Sequence, residues 1–180
     1  SMNLRYGGTA SAADFQASIS GTNVAWDTFV GLDAGTYTAA ESALYGYAAG
    51  SWGGDCAADG SVSLAVGDAK TCTITNDDIA PSLTLVKTVV NEDGGNATAA
   101  EWTLTATGPT GFAGAGPTVQ SDATFEAGTY VLSESIGPDG YIPSAWVCEG
   151  GTQDGASITL GLAESAICTI TNDDIAPKLT

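Results

Sequence analysis

The ten residues Cys72-Thr-Ile-Thr-Asn-Asp-Asp-Ile-Ala-Pro81 recur unchanged as Cys168 to Pro177, an offset of 96 positions. A run this long at one fixed spacing makes the chain an array of similar units, each closing its own core with roughly ninety residues. Shorter landmarks keep the same order. Gly7-Gly8 through Phe15 matches Gly94-Gly95 through Trp102, Gly35-Thr-Tyr37 and Glu41 match Gly128-Thr-Tyr130 and Glu134, and Cys56 matches Cys148. The reading is a first repeat over 1–80, a second over 81–177, and at 178–180 the start of a following repeat, since Lys178-Leu-Thr180 parallels Ser82-Leu-Thr84. Pro81 and Pro177 fix φ and withhold an N–H, which suits a short stiff joint. Counting back from the shared Gly-Gly, the position matching Lys87 falls before Ser1. The first strand of the first repeat is therefore expected to be missing or truncated.

Short Thr, Val and Ile runs punctuated by glycine turns describe β-structure, and seven strand candidates fall in the second repeat, at 82–90, 101–107, 118–126, 129–135, 143–149, 156–161 and 166–172. The expected class is all-β, two tandem immunoglobulin-like sandwiches. Acids outnumber bases 21 to 4, for a net charge of −17, which disfavours nucleic acid and anionic lipid as partners. The charge reads as solubility; no alternation of Asp or Asn with Gly suggests a calcium loop. No histidine occurs, which removes the commonest general base and zinc ligand. No apolar run is long enough for a membrane span, no signal peptide is visible, and Ser1-Met2 reads as an expression scar. Neither a cofactor nor a metal is expected.

Strand parity singles out three polar residues. Lys87 shares a face with Leu83, Leu85 and Val89; Glu134 with Tyr130 and Leu132; Asn172 with Cys168 and Ile170. Each extends a core-facing apolar row, and burying three such groups demands mutual satisfaction. One reading is a buried Lys–Glu pair with Asn as a hydrogen-bond partner. The other is a self-made amide cross-link, in which a desolvated neutral lysine attacks the Asn carbonyl while a protonated glutamic acid polarises it and shuttles the proton. The first repeat keeps Glu41 and Asn76 at the matching places and lacks the lysine. Arg5 cannot substitute because guanidinium stays protonated, and Lys70 beside a Gly-Asp turn reads as solvated. No cross-link is expected in the first repeat as given; in a longer parent protein a preceding strand would be the source of the lysine, and without that strand an open sheet edge would accept a neighbouring chain's strand.

The four cysteines fall two per repeat at matching places, so the repeat symmetry selects disulfides Cys56–Cys72 and Cys148–Cys168 and an oxidising compartment. Asn96-Ala-Thr98 fits a glycosylation acceptor only as a three-residue pattern. Trp26, Trp52, Trp102 and Trp146 offer either packing or a sugar platform, packing being favoured for Trp102, which alternates with Leu104. Asp77-Asp78 and Asp173-Asp174 read as solvated turns in preference to cation sites, because two carboxylates fall short of a calcium shell.

Taken together, Leu85-Val-Lys87 with Asn91-Glu-Asp-Gly94, Gly128-Thr-Tyr-Val-Leu-Ser-Glu134 with Pro138-Asp-Gly-Tyr141, and Thr169-Ile-Thr-Asn172 make the second repeat resemble the Cna B-type, SpaA-like, prealbumin-like modules of bacterial adhesins and pilins. The resemblance implies an intramolecular isopeptide bond between Lys87 and Asn172, assisted by Glu134. It also implies a non-enzymatic stalk or spacer repeat at the cell surface, with neighbouring repeats as partners and any cell-surface or glycan ligand bound through other domains. The first repeat departs from this pattern, reading Glu41-Ser-Ala-Leu-Tyr-Gly-Tyr47 without the turn proline. The competing readings are a ligand-binding adhesin domain, and an accessory carbohydrate-binding module of a secreted hydrolase.

Overall fold

The computed structural model describes residues 1–179. The chain divides into two compact units, Ser1–Ile79 and Ala80–Thr180. Unit 1 holds β1 (Met2–Asn3), β2 (Ala17–Ile19), β3 (Thr22–Val24), β4 (Gly35–Glu41), β5 (Tyr47–Ala49), β6 (Gly53–Gly54), β7 (Ser61–Leu64), β8 (Cys72–Thr73) and β9 (Asn76–Asp78). Unit 2 holds β10 (Ser82–Val90), β11 (Thr103–Thr107), β12 (Phe112–Ala115), β13 (Thr118–Gln120), β14 (Gly128–Glu134), β15 (Tyr141–Pro143), β16 (Val147–Glu149), β17 (Thr152–Asp154), β18 (Ser157–Leu160) and β19 (Ser165–Asp174).

Unit 2 is a sandwich of two sheets. One runs β13-β10-β19-β15, with β16 also on β19; the other runs β12-β11-β14-β18-β17. The apolar rows of both inner faces meet in one core of Leu83, Leu85, Leu104, Ala106, Phe125, Tyr130, Leu132, Ile158, Leu160, Cys168 and Ile170, closed by Trp146. Alternation along β10 is nearly strict: Leu83, Leu85 and Lys87 are buried while their even-numbered neighbours are not. The first and last strands, β10 and β19, are parallel neighbours from Ser82 opposite Ser165 to Val90 opposite Asp173.

The strand expectations err mainly at edges. The segment 112–115 pairs with β11 although its Gly-Phe-Ala-Gly-Ala-Gly sequence carries little β-propensity; it is an edge strand imposed by the sheet beside it. The stretch 143–149 breaks into two short strands that both pair with β19, and Glu101 lies in a single 3-10 turn over Ala99–Glu101.

Unit 1 repeats this plan with gaps. Its sheet β3-β2-β4-β7 matches the second sheet of unit 2, but the opposite sheet is reduced to β1-β9-β5 and the pair β6-β8. The register states the difference. Met2 lies opposite Asn76 as Val89 lies opposite Asn172. β6 pairs with β8 at Cys72 and Thr73, but no described strand takes the place of β10 along Lys70, Cys72 and Ile74, whose counterparts in unit 2 face Leu83, Leu85 and Lys87. Its buried apolar residues are few: Phe15, Ala17, Cys56 and Ile74. Two disulfides, Cys56–Cys72 and Cys148–Cys168, staple the last strand region of each unit to the segment before it.

Candidate functional site

The site lies in unit 2 between the sheets, and parity puts each member there. β10 carries Lys87 inward, 3% exposed, one step beyond Leu85 on the same face. β19 beside it carries Asn172 inward, 2% exposed, opposite Val89 and therefore one same-face step past Ile170, the partner of Lys87. β14, in the opposite sheet and paired through Glu134 to Leu104, brings its carboxylate across the core. The Lys87 Nζ donates to Glu134 Oε2 at 2.5 Å, and the lysine side chain is wholly withdrawn from water. Trp102 roofs the amine, with Nζ 4.6 Å from the ring centroid. The Trp102 indole is itself buried and meets Tyr141 edge-on.

Burial holds the Lys87 amine below the usual lysine range; its hydrogen bond and charge attraction to Glu134 oppose that shift without cancelling it. Asn172 Oδ1 is buried and accepts no hydrogen bond. A buried carbonyl in that state costs on the order of 1–3 kcal/mol. The arrangement puts a weakened amine base in contact with a carboxyl group, with an amide carbonyl that nothing satisfies on the strand beside the lysine.

Unit 1 holds the acceptor half of the same site. Asn76 is buried on β9, and both Glu41 carboxylate oxygens and Asn76 Oδ1 lack any partner. Arg5 is turned away, its Nε donating to Asn3 Oδ1 at 3.2 Å. Lys70 sits at the surface, donating to the Ser63 carbonyl at 2.6 Å and lying 3.6 Å from Asp68. Among the described residues nothing cationic pairs with Glu41.

The aspartate pairs need correction. Asp78 and Asp174 are buried, not solvated. Asp174 accepts the backbone amides of Glu92 at 2.8 Å, Asp93 at 2.9 Å and Gly95 at 2.6 Å. Asp78 accepts those of Arg5 at 2.8 Å, Tyr6 at 2.7 Å and Gly8 at 2.9 Å. Each clamps the loop that follows the first strand to the end of the last. The paired glycines are part of the device: a Cβ on Gly8 would stand 2.8 Å from the Tyr47 hydroxyl and 2.9 Å from Asp78, and one on Gly95 would collide with Tyr141 and Asp174. The sequence carried two signals for this clamp: Gly-Gly and Asn-Asp-Asp recur together, and the parity that turns Asn76 and Asn172 inward also turns in the second aspartate of each pair. The tryptophans split. Trp102 and Trp146 are buried, whereas Trp26 and Trp52 are half-buried and stack at 6.4 Å. Among the described residues no cluster of three or more acidic or cysteine side chains could hold a metal, and no helix is long and apolar enough to cross a membrane.

A family described as "Prealbumin-like fold domain", of the SpaA type, matches residues 2–74 and 78–170. The chain belongs to that family. Both of its segments fall on a unit seen in the fold, so the SpaA-type domain is present twice. Solved structures similar to this tandem include major pilin proteins of two Streptococcus pyogenes serotypes. One is 17% identical over 82% of this chain and 69% of its own, with a TM-score of 0.40. The other is 19% identical over 83% and 70%, with a TM-score of 0.42. A further crystal structure of a Streptococcus pyogenes major pilin is 14% identical over 83% and 73%, with a TM-score of 0.36. A search of curated proteins finds no match.

Proposed function

We propose that this SpaA-type tandem is a structural spacer of a bacterial extracellular surface fibre, and that its second unit is welded by an amide between Lys87 and Asn172. The observation that carries the reading is the buried Lys87 amine 2.5 Å from Glu134, with the Asn172 carbonyl orphaned on the adjoining strand. Desolvation favours passage of the shared proton from Nζ to Glu134 Oε2, leaving an amine and a carboxylic acid. The amine lone pair attacks Asn172 Cγ, and the acid donates to the carbonyl oxygen as it gains charge. Glu134 then takes a proton from the attacking nitrogen, passes it to the departing Nδ2, and recovers the proton from the oxygen as the carbonyl re-forms. The Nζ–Cγ bond forms, the Cγ–Nδ2 bond breaks, and one ammonia leaves. Trp102 shields the amine from water through these steps. The reaction occurs once per molecule, so it is maturation and not turnover.

The product serves mechanics. β10 and β19 are the first and last strands of unit 2 and lie side by side. A pull on the two ends of the unit loads that ladder, and a covalent bridge across it passes the load without unzipping. Disulfides in both units agree with an oxidising, extracellular setting. Neighbouring repeats of the same chain are the primary partners, and the open sheet edge of unit 1 is a second place for a strand to join.

Intact-mass spectrometry after disulfide reduction tests the weld. The expected mass is short by one ammonia, and Lys87→Ala or Glu134→Ala restores the full value. An uncorrected mass in the parent protein leaves a plain buried ion pair.

A further inference from the structure

β10 and β19 are parallel neighbours, and the alternation of their side chains leaves their stagger open. A slip of one residue would turn every side chain to the other face, which the core forbids. A slip of two keeps Leu83, Leu85, Lys87 and Val89 turned inward beside the inward row of Ala166, Cys168, Ile170 and Asn172. The apolar pattern does not distinguish the two pairings. The slip would nevertheless carry the lysine about 7 Å along the sheet, at roughly 3.3 Å per residue. The pairing found sets Lys87 opposite Ile170, with Asn172 one same-face step beyond, and lets Lys87 Nζ meet Glu134 Oε2 from the opposite sheet. The charge attraction between Lys87 and Glu134 favours this stagger. The weld discharges that pair before the new bond forms, because the proton passes from the amine to the carboxylate. The stagger has to be held from elsewhere.

Asp174 is placed to hold it. It is buried two residues after Asn172, on the same face of β19. Its carboxylate reaches from the last strand to the turn that leaves the first. Oδ1 accepts the Glu92 amide at 2.8 Å, and Oδ2 accepts those of Asp93 at 2.9 Å and Gly95 at 2.6 Å. Asn91 alone separates Glu92 from the end of β10. A two-residue slip would draw these amides off the carboxylate and strand a buried charge. The turn is braced as well. Asn91 Nδ2 donates to the Ala97 carbonyl at 3.1 Å, and the Tyr141 hydroxyl accepts the Ala97 amide at 3.0 Å and donates to Asn91 Oδ1. Unit 1 separates the clamp from the weld. There Asp78 closes on the amides of Arg5, Tyr6 and Gly8 although Glu41 has no partner, so closure needs no covalent step.

We infer that Asp174 is a positioning residue for the weld: by closing on the turn at 92–95 it fixes the stagger of β10 on β19 that brings Lys87 to Glu134 and beside Asn172. The inference rests on the weld proposed for unit 2. It adds what keeps the reactants aligned while Lys87 and Glu134 exchange their proton. Asp174 itself takes no part in the proton transfers.

The test makes the full chain by cell-free synthesis, quenches it in acid at intervals, and reads the welded fraction from the intact mass after disulfide reduction. Two variants open the clamp from opposite sides. Asp174→Asn keeps the shape and gives up one acceptor oxygen for a donor. Gly95→Ala sets a Cβ 2.8 Å from Asp174 Oδ2. Both should lose ammonia at least tenfold more slowly than the unaltered chain. Ile158→Val thins the same core on β18 without touching the clamp, and it should weld at the unaltered rate. Stagger is read separately by NMR in Glu134→Gln protein, where no weld forms. Adding Asp174→Asn there should shift the cross-strand contacts of β10 with β19 by two residues, or average them, while those of β11 with β14 hold. A mere loss of stability would leave both patterns in place. Welding of both clamp variants at the unaltered rate overturns the inference, and so does an unshifted β10–β19 pattern. If the unaltered chain keeps its full mass, the weld itself falls, and the NMR pattern still decides whether Asp174 sets the stagger.

Discussion

Asp174 shows how one side chain can hold a unit shut. Burial alone would raise its pKa, but the amides of Gly95, Asp93 and Glu92 outweigh burial and keep it below the ordinary value of 3.8. Asp78 is lowered in the same way: burial works against it, and the amides of Arg5, Tyr6 and Gly8 prevail. A carboxylate whose folded-state pKa is depressed stabilises the fold fully above its unfolded-state value. That contribution is lost as pH falls through the folded-state value. The thermal midpoint of the protein should therefore hold steady from about pH 7 to about pH 5 and fall below about pH 4. Asp174→Asn should lower the midpoint of unit 2 at neutral pH and flatten its acid limb, as followed by circular dichroism. Lys87 gives the same slope in an alkaline window. Its folded-state pKa is lowered by burial, so an unwelded unit gains stability from that site as the pH rises toward the ordinary lysine range.

Among the elements, β10 does most to separate the two units. It supplies Leu83, Leu85 and Lys87 to the core, spans the whole length of β19 and carries β13 on its other edge. Leu85 is fully buried, and Leu85→Ala removes apolar contact at the centre of the sandwich. The expected cost is about 2–5 kcal/mol, read from the denaturant midpoint of unit 2, with unit 1 unchanged. If the amide is formed, the same substitution should leave the welded strand attached and lower the midpoint less than it does in Lys87→Ala protein. The contrast with β1 is instructive. Its two residues pair with Asn76 and Asp77 and supply no core leucine.

Over the whole molecule these differences predict two separate unfolding events. Unit 2 buries a continuous core, whereas unit 1 buries four apolar residues, one of them a disulfide cysteine. Calorimetry should show two transitions, the lower one belonging to unit 1. The Cys56–Cys72 and Cys148–Cys168 bridges close loops of 16 and 20 residues, each worth about 3 kcal/mol by loop entropy. Reduction should remove the lower transition first, because unit 1 has less core to fall back on. A single transition untouched by reductant would contradict this ranking.

The sequence alone determined the repeat, the all-β class, the family resemblance, and the inward parity of Lys87, Glu134 and Asn172. All of these rest on local spacing: a period of two puts residues on a face wherever the strand lies. Counting from the shared glycines also put the position matching Lys87 before Ser1. Tertiary structure decided the rest. Trp102 over the amine, the burial of Asp78 and Asp174 and the edge strand at 112–115 all depend on which chain segments approach one another through space. An aspartate in a turn reads as solvated until a loop from the other end of the unit brings three amides onto it. Covalent neighbours set the direction of a side chain, whereas its solvation and its partners come from segments distant in sequence, and these fix its energy.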